Sequence, residues 1–183
     1  PVLGEMQGRV DVGMSSTHGG DTSSNIEGMI NMPIGDSLAI RAVGYSNRQG
    51  GWIDNSASTF TPSGPVIDRN SIGYGPYFSG FPDTVVNSAT NEDVVKDDWN
   101  EATYNGYRVG VKWDINDNWS ALVQHSSQKL DVEGSFLVDP SLGEDKSAKF
   151  QPESNVDEFD LTTLTIEGRI AGLDIVYAGG YLD

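Results

Sequence analysis

The chain has 183 residues, a formal net charge of −16 and no cysteine. This length suits a single domain. The acidic balance argues against binding to nucleic acid, which needs clustered Lys and Arg. The absence of cysteine excludes disulfides and thiolate metal sites. Only 37% of the residues are hydrophobic and 22 are glycine, a composition that differs from that of an ordinary soluble enzyme and suits turns and crowded sheet faces.

Alternating apolar and polar residues predict seven strands. The predicted strands are residues 8–16, 25–32, 38–53, 103–114, 119–131, 159–170 and 173–181. In the second strand, for example, Ile26, Ile30 and Met32 share one parity and Glu27 has the other, as in a strand with one dry face. Strands of about ten residues exceed the five or six typical of globular proteins and approach the 9–11 or so that cross a bilayer at a tilt.

The connections between these strands alternate in length. Tight turns are predicted at 33–37, 114–118 and 171–172, whereas a polar loop at 17–24 and long loops at 54–101 and 132–158 separate the other strands. Tight turns leave no room for a crossover, so consecutive strands are antiparallel neighbours, with turns at one end of the sheet and loops at the other. The predicted fold is therefore all-β: part of an antiparallel, up-and-down transmembrane β-barrel with about seven strands and extracellular long loops.

Charged residues distinguish the two parities of the strands. The side chains on the parity opposite the apolar one are Glu27, Arg41, Arg108, Lys112, Glu167 and Arg169. An Arg or Lys that faces lipid at the bilayer midplane costs roughly 2–4 kcal/mol, so we expect the apolar parity to face lipid and these six residues to face the lumen. Trp113 and Trp119 flank a turn on the outward parity, where an interfacial girdle of aromatic residues would lie. The alternative is that they close the core of a soluble sandwich.

Several segments resemble the first barrel strands of TonB-dependent outer-membrane receptors. They are NMPIGDSLAIR at 31–41, which matches the periplasmic turn of that family, GWIDN at 51–55, YRVGVKWDINDNWSALVQHSSQ at 107–128 and LTIEGRIAGLDIVYAGGYLD at 164–183. The resemblance covers most of the chain outside the two long loops. It rests on strand and turn signatures rather than on catalytic motifs.

The resemblance implies a place and a function. Receptors of this family form a barrel of about 22 strands around a plug domain, in the outer membrane of Gram-negative bacteria. They import a scarce solute, such as an iron–siderophore, cobalamin or an oligosaccharide, with energy from the inner-membrane TonB system. The implied partners are outer-membrane lipid, the plug, the remaining barrel strands, TonB and the solute. No plug precedes the first strand here, and the last residues lie in mid-strand, so we expect residues 1–183 to be roughly the first third of such a barrel.

Aromatic residues in and beside the long loops are the candidate ligand contacts. They are Trp52, Tyr74, Tyr77, Phe78, Phe81 and Trp99. Bulky apolar side chains on an exposed loop either bind something or pack the loop onto itself, and the sequence leaves both roles open.

No pattern in the sequence points to catalysis, a cofactor or a metal. His18 and His125 are far apart and lack a partner at metal-ligand spacing, and no nucleophile motif or phosphate-binding glycine loop is present. The acidic segments 92–98 and 157–160 offer carboxylates that Ca²⁺ prefers, but without EF-hand spacing. We therefore predict a protein that is not an enzyme.

Two other functions compete with the receptor. A passive porin-like channel would have the same strands without a plug. A soluble secreted β-sandwich or adhesin would bind Ca²⁺ or glycan through its acidic loops.

Overall fold

A computed structural model of the chain describes residues 1–61 and 88–183, and in these ranges the fold is all-β. Seven long strands form one antiparallel sheet. They are Gln7–Ser16 (β1), Thr22–Ile34 (β2), Leu38–Gln49 (β3), Ala102–Asn116 (β7), Trp119–Glu133 (β8), Ser154–Ile170 (β10) and Leu173–Leu182 (β11). Their order across the sheet is β1-β2-β3-β7-β8-β10-β11. Each long strand pairs with the one before it in the chain, so the predicted antiparallel order is confirmed.

Two predicted strand boundaries, both at the loop end of the sheet, differ from the structure by four or five residues, and the other strand ends lie within three residues of the prediction. The strand predicted at 38–53 ends at Gln49, because the chain leaves the sheet at Gly50, whose amide bonds the Ser23 hydroxyl. The strand predicted at 159–170 begins five residues earlier, at Ser154. Residues 154–158 are mostly polar, so their pattern lacks an apolar parity, yet they pair in register with the end of β8.

The predicted turns join neighbouring strands, and their backbone explains the tightness. Between β10 and β11 the turn has two residues, Ala171 at φ 50° and Gly172 at φ 79°. Positive φ at both central residues is typical of a type I′ turn, whose twist matches that of the antiparallel strands it joins. Between β7 and β8 the register shifts by one residue near Asn116 before the turn at 117–118.

The ladder register assigns each side chain to one of two faces of the sheet. We call one the apolar face; its members include Ile26, Ile30, Met32, Ile40, Val109, Val111, Val123, Leu164, Ile166 and Ile175. The opposite one, the polar face, carries all six predicted lumen charges. Paired residues in a ladder point to the same side, so the alternation predicted within single strands is continuous across all seven.

No second layer packs on the apolar face within the described part of the chain. None of the side chains named for this face is buried: Val12 is 71% exposed and Ile26 52%, and Ile40, Val111, Leu164 and Ile166 are partly buried. The only buried apolar residues in residues 1–61 and 88–183 are Ala39, Ile53, Trp99 and Ala102. The edge strands β1 and β11 are not paired with each other, so this sheet is open. No helix in the same residues is long and apolar enough to span a membrane.

Short strands organise the loops at one end of the sheet. They are β4 (Asp54–Asn55), β5 (Thr59–Phe60), β6 (Ala89–Thr90) and β9 (Lys146–Ser147), with a 3-10 turn at Glu92–Val94. β4 pairs with β9 in parallel and β5 with β6 in antiparallel fashion. The two long loops, predicted as irregular segments, therefore contact each other; residues 50–61, 88–101 and 134–153 are called the loop cap below.

Candidate functional site

Three cations lie together at the centre of the polar face. In the register between β3 and β7, Arg41 faces Gly110, and Arg108 and Lys112 lie two residues to either side of that glycine. Same-face neighbours on diagonal positions are about 7–8 Å apart. The three side chains therefore form a cationic patch in a protein whose net charge is strongly negative.

Three of the six polar-face charges have partners on the same face. The Arg108 Nε donates to the Ser126 hydroxyl at 3.1 Å, and the Arg169 Nε lies 2.7 Å from an Asp174 carboxylate oxygen. The Lys112 ammonium is 3.8 Å from Asp114. Exposed pairs of this kind contribute at most about 1 kcal/mol each, so they orient the side chains more than they stabilise the sheet.

Glu27 lies in a second charged group near the sheet edge. The register places it opposite Asp11, and the Arg9 guanidinium bonds that carboxylate at 2.8 Å. Like charges on directly opposed residues destabilise a ladder, and the Arg9 charge offsets this repulsion.

Tyr45 bridges the polar face further toward the loops. Its hydroxyl donates to the Gln128 side-chain oxygen at 2.6 Å, across the intervening strand β7. The Tyr45 ring passes over Gly106, where a Cβ would overlap the phenol. This pattern of a glycine beneath a long side chain explains part of the high glycine content.

Buried asparagines hold the loop cap together. The Asn55 side chain, 1% exposed, donates to the carbonyls of Val94 at 2.7 Å and Lys149 at 3.1 Å and accepts the Lys149 amide at 2.6 Å. The side-chain oxygen of Asn91 accepts a hydrogen bond from the Ser58 amide at 2.6 Å, and its side-chain nitrogen donates one to the Ser56 carbonyl. These amides satisfy main-chain groups of loops that lack a regular ladder, as buried backbone requires.

Asn100 performs the same task at the base of the cap. Its side-chain oxygen accepts the amides of Trp52 and Ile53, both at 2.8 Å, and the residue is 1% exposed. The adjacent backbone continues the contact, because the Trp99 amide donates to the Ile53 carbonyl at 2.6 Å.

The two loop tryptophans have different environments. Trp99 is 7% exposed and packs against Gly134, where φ is 67° and a Cβ would overlap the indole. Trp52 is half-buried, and its ring lies 5.4 Å from that of Phe136. Trp99 is thus a core residue of the cap, and Trp52 is the one that reaches its surface. The remaining predicted ligand contacts, Tyr74, Tyr77, Phe78 and Phe81, lie outside the described residues.

Arg48 ties the base of the cap to the sheet. One of its terminal nitrogens lies 2.6 Å from a carboxylate oxygen of Asp21 and 2.6 Å from one of Glu101, and the other donates to the Thr22 carbonyl at 2.9 Å. This arrangement joins the beginnings of β2 and β7 to the end of β3. The hydrogen bond from Arg48 holds the pKa of Asp21 below its ordinary value of 3.8, with further help from the Thr22 amide.

The lowered pKa of Asp21 predicts a pH dependence of the cap. The folded state favours the Asp21 carboxylate. Its contribution to the stability of the folded state is therefore complete above about pH 3.8 and is lost as the pH falls through the lower pKa of the folded state. We expect Asp21→Asn to speed hydrogen exchange of the Thr22 amide several-fold at pH 7 and by a smaller factor at pH 2, well below the ordinary carboxyl pKa of 3.8. Asp36→Asn, in the turn at the other end of the sheet, is the control and should change neither rate. An equal effect at both pH values would contradict the ion-pair account.

Asp98 opposes this arrangement. Burial raises its pKa, and the nearby carboxylates of Asp21, Asp54 and Asp97 raise it further, while Arg48 lowers it. Asp98 also has a positive φ, 53°. The base of the cap therefore has crowded negative charge around one cation.

The two histidines lie on different elements of the fold. His18 is exposed in the β1–β2 loop. His125 is on the side of the apolar face, with its Nδ1 2.9 Å from the Thr162 hydroxyl and its ring 5.9 Å from that of Tyr107. In the described ranges no three His, Asp or Glu side chains are arranged to hold a metal ion.

Sequence reasoning missed the asparagines and Phe136. Asn55, Asn91 and Asn100 are in loops, where asparagine usually serves turns, and no pattern marks one that is buried. Phe136 is half exposed at 52% beside Leu137 at 68%, and its pairing with Trp52 depends on how two loops distant in sequence meet.

Comparison of the chain with protein-family models, with curated proteins and with solved structures gave no match.

Proposed function

We propose that the chain is part of a β-barrel of the Gram-negative outer membrane, with the apolar face toward lipid and the polar face toward the interior. The observation that carries this proposal is the separation of faces over seven long strands. All six charges at 27, 41, 108, 112, 167 and 169 are on one face, and the other face is apolar and uncovered in the described residues. In water such an uncovered face would be an association site, whereas lipid solvates it.

The length of the apolar stripe fits a bilayer. On β2 the stripe runs from Ile26 to Ile34, which corresponds to about 26 Å along the strand at about 3.3 Å per residue. A strand tilt of about 40° reduces the height to about 20 Å, close to the apolar band of roughly 25 Å in outer-membrane barrels. Toward the loops, the same face changes to polar residues such as Lys129 and Glu158, which form an ion pair at 2.9 Å.

A soluble sandwich is the weaker explanation. A sandwich buries its apolar face against a second sheet about 10 Å away. The small sheets β4–β9 and β5–β6 belong to the loop cap instead, and the buried apolar residues in the described ranges number four.

The activity we propose is active import of a scarce solute, such as an iron–siderophore, cobalamin or an oligosaccharide. The support is the resemblance of the strand and turn segments to TonB-dependent receptors, together with the ordered loop cap. Trp52 and Phe136, whose rings are 5.4 Å apart, and the exposed Leu137 beside Phe136 are one apolar group of the cap and are the proposed solute contacts. A plug and TonB would supply the gate and the energy.

A passive channel is the second candidate, because a polar face with charges of both signs also suits a water-filled pore. Single-channel recording on the full protein in planar bilayers separates the two. The receptor should show no steady open conductance, since a plug fills its interior. A steady ohmic current would overturn the receptor and favour the channel.

Solute binding tests the receptor directly. We expect one of a panel of ferric siderophores, cobalamin and oligosaccharides to bind the full protein in detergent saturably, and Trp52→Ala to weaken that binding at least tenfold. Val95→Ala removes another exposed apolar side chain of the cap and should leave affinity unchanged. Equal affinity of the Trp52→Ala variant would remove the loop contact from the proposal.

A further inference from the structure

A segment at the start of the chain lies across the polar face instead of pairing in the sheet. Residues 1–6, called the strap below, precede β1 and form no strand. The side chain that holds the strap belongs to β2 and is Asn31, which is fully buried although it lies on the face of an open sheet.

The side chain of Asn31 forms hydrogen bonds with main-chain groups of the strap only. Its side-chain oxygen accepts the Val2 amide at 2.8 Å, and its side-chain nitrogen donates to the carbonyls of Val2 and Glu5, each at 2.8 Å. The Asn31 amide thus donates one hydrogen bond to Val2 and accepts one from it. Two residues of a hydrogen-bonded pair in an antiparallel ladder exchange the same two bonds. The side-chain amide of Asn31 therefore takes the place of one main-chain amide of a neighbouring strand, but it lies on the face of the sheet.

The strap reaches the cationic patch. Pro1 packs over Gly110, where a Cβ would lie 3.4 Å from the Pro1 ring and 3.4 Å from the Gln124 side chain. Since Gly110 faces Arg41 in the register and is two residues from Lys112, the strap covers the centre of the patch.

Little besides Asn31 fixes the strap. Met6 is 73% exposed and Val2 39% exposed, so burial of apolar surface in the strap is limited to Pro1 and Leu3, which are partly buried. The neighbouring β1 is different, because ten residue pairs join it to β2. Loss of the Asn31 side chain should therefore free the strap and leave the β1–β2 ladder in place.

We propose that Asn31 is a latch that closes the strap over Arg41 and Lys112, and that opening the latch gives anionic groups access to this part of the polar face. The latch is independent of the membrane location proposed above, because it concerns contacts on one face of the sheet.

A spin label on the strap tests the latch. The chain has no cysteine, so Val2→Cys gives a single labelling site in the described chain and the label can be read in the full protein in detergent. With Asn31 present we expect a motionally restricted spectrum, and with Asn31→Ala a mobile one. The matched control is Asn25→Ala, which removes an exposed asparagine from the same face of β2 and should leave the label restricted. A label that is equally restricted in Asn31→Ala, or already mobile with Asn31 intact, would overturn the latch.

A second measurement tests the covering of the patch. In a Lys112→Cys background, a negatively charged thiosulfonate reagent should modify the thiol at least tenfold faster when Asn31→Ala is added. An unchanged rate would overturn the covering even if the strap moves. If Asn31→Ala does not fold, as judged by heat-modifiable migration in gels, Asn31→Asp serves instead, because it keeps the acceptor for the Val2 amide and turns a carboxylate oxygen toward two carbonyls.

Discussion

Asn55→Ala is expected to open the loop cap while the strands stay paired. The substitution leaves the Lys149 amide and the Val94 carbonyl, both partly buried, without their partner. A buried polar group without a partner costs about 1–3 kcal/mol, so we expect a local destabilisation of about 2 kcal/mol. Hydrogen exchange with mass spectrometry on the folded protein should then show the amides of 147–149 exchanging roughly 30-fold faster.

The control for this result is Asn105→Ala, an exposed asparagine on β7, which should alter no exchange rate in the cap. Exchange in the core of β8 and β10 should be unchanged in both variants. An unaffected cap in Asn55→Ala would contradict the role of the buried amides, and general acceleration in the strands would show that cap and sheet open together.

Ile166→Arg is expected to lower the stability of the protein folded in a bilayer, whereas Thr165→Arg is tolerated. The two residues are adjacent on β10; Ile166 is on the apolar face and Thr165 on the polar face. A lipid-facing Arg at the midplane costs about 2–4 kcal/mol, and the same side chain in a polar interior keeps its hydration. Folding into lipid vesicles, followed by heat-modifiable migration and by denaturant titration, measures the difference.

Because the two substitutions add the same charge one residue apart, their difference reports the face and little else. Equal stability of the two variants would contradict the proposed orientation of the sheet. Greater loss in Thr165→Arg would reverse it.

The sheet was largely predictable from the sequence because strand alternation is a local signal. Apolar residues alternate with charged ones at successive positions, as in Ile26 and Glu27 or Val109 and Arg108, and a few residues suffice to show this. The tight turns at 33–37 and 171–172 determine which strands are neighbours. The strand ends were less accurate, since polar residues at 154–158 pair with β8 without an apolar parity to mark them. Whether the seven-stranded sheet closes with further strands stays a prediction.

The loop cap was not predictable, because its contacts join segments far apart in the chain. Asn55 and Lys149 are 94 residues apart, and nothing near either residue indicates the other. The same separation hid Phe136 beside Trp52 and the strap on Asn31. In the sequence Asn31 looked like part of a turn signature, whereas its side chain bonds the start of the chain. The role of the loop aromatics in binding a solute stays a prediction.

Oxygen accessibility along β8 is the most direct test of the central claim that the apolar face meets lipid. Single spin labels at Ala121, Leu122, Val123 and Gln124, in the full protein reconstituted in vesicles, should alternate, with 121 and 123 accessible to oxygen dissolved in the bilayer and 122 and 124 shielded from it. Leu122 makes the test sharp, because it is apolar yet lies on the polar face. Alternation with period two would support the membrane orientation. Uniform accessibility to a water-soluble collision reagent would contradict it.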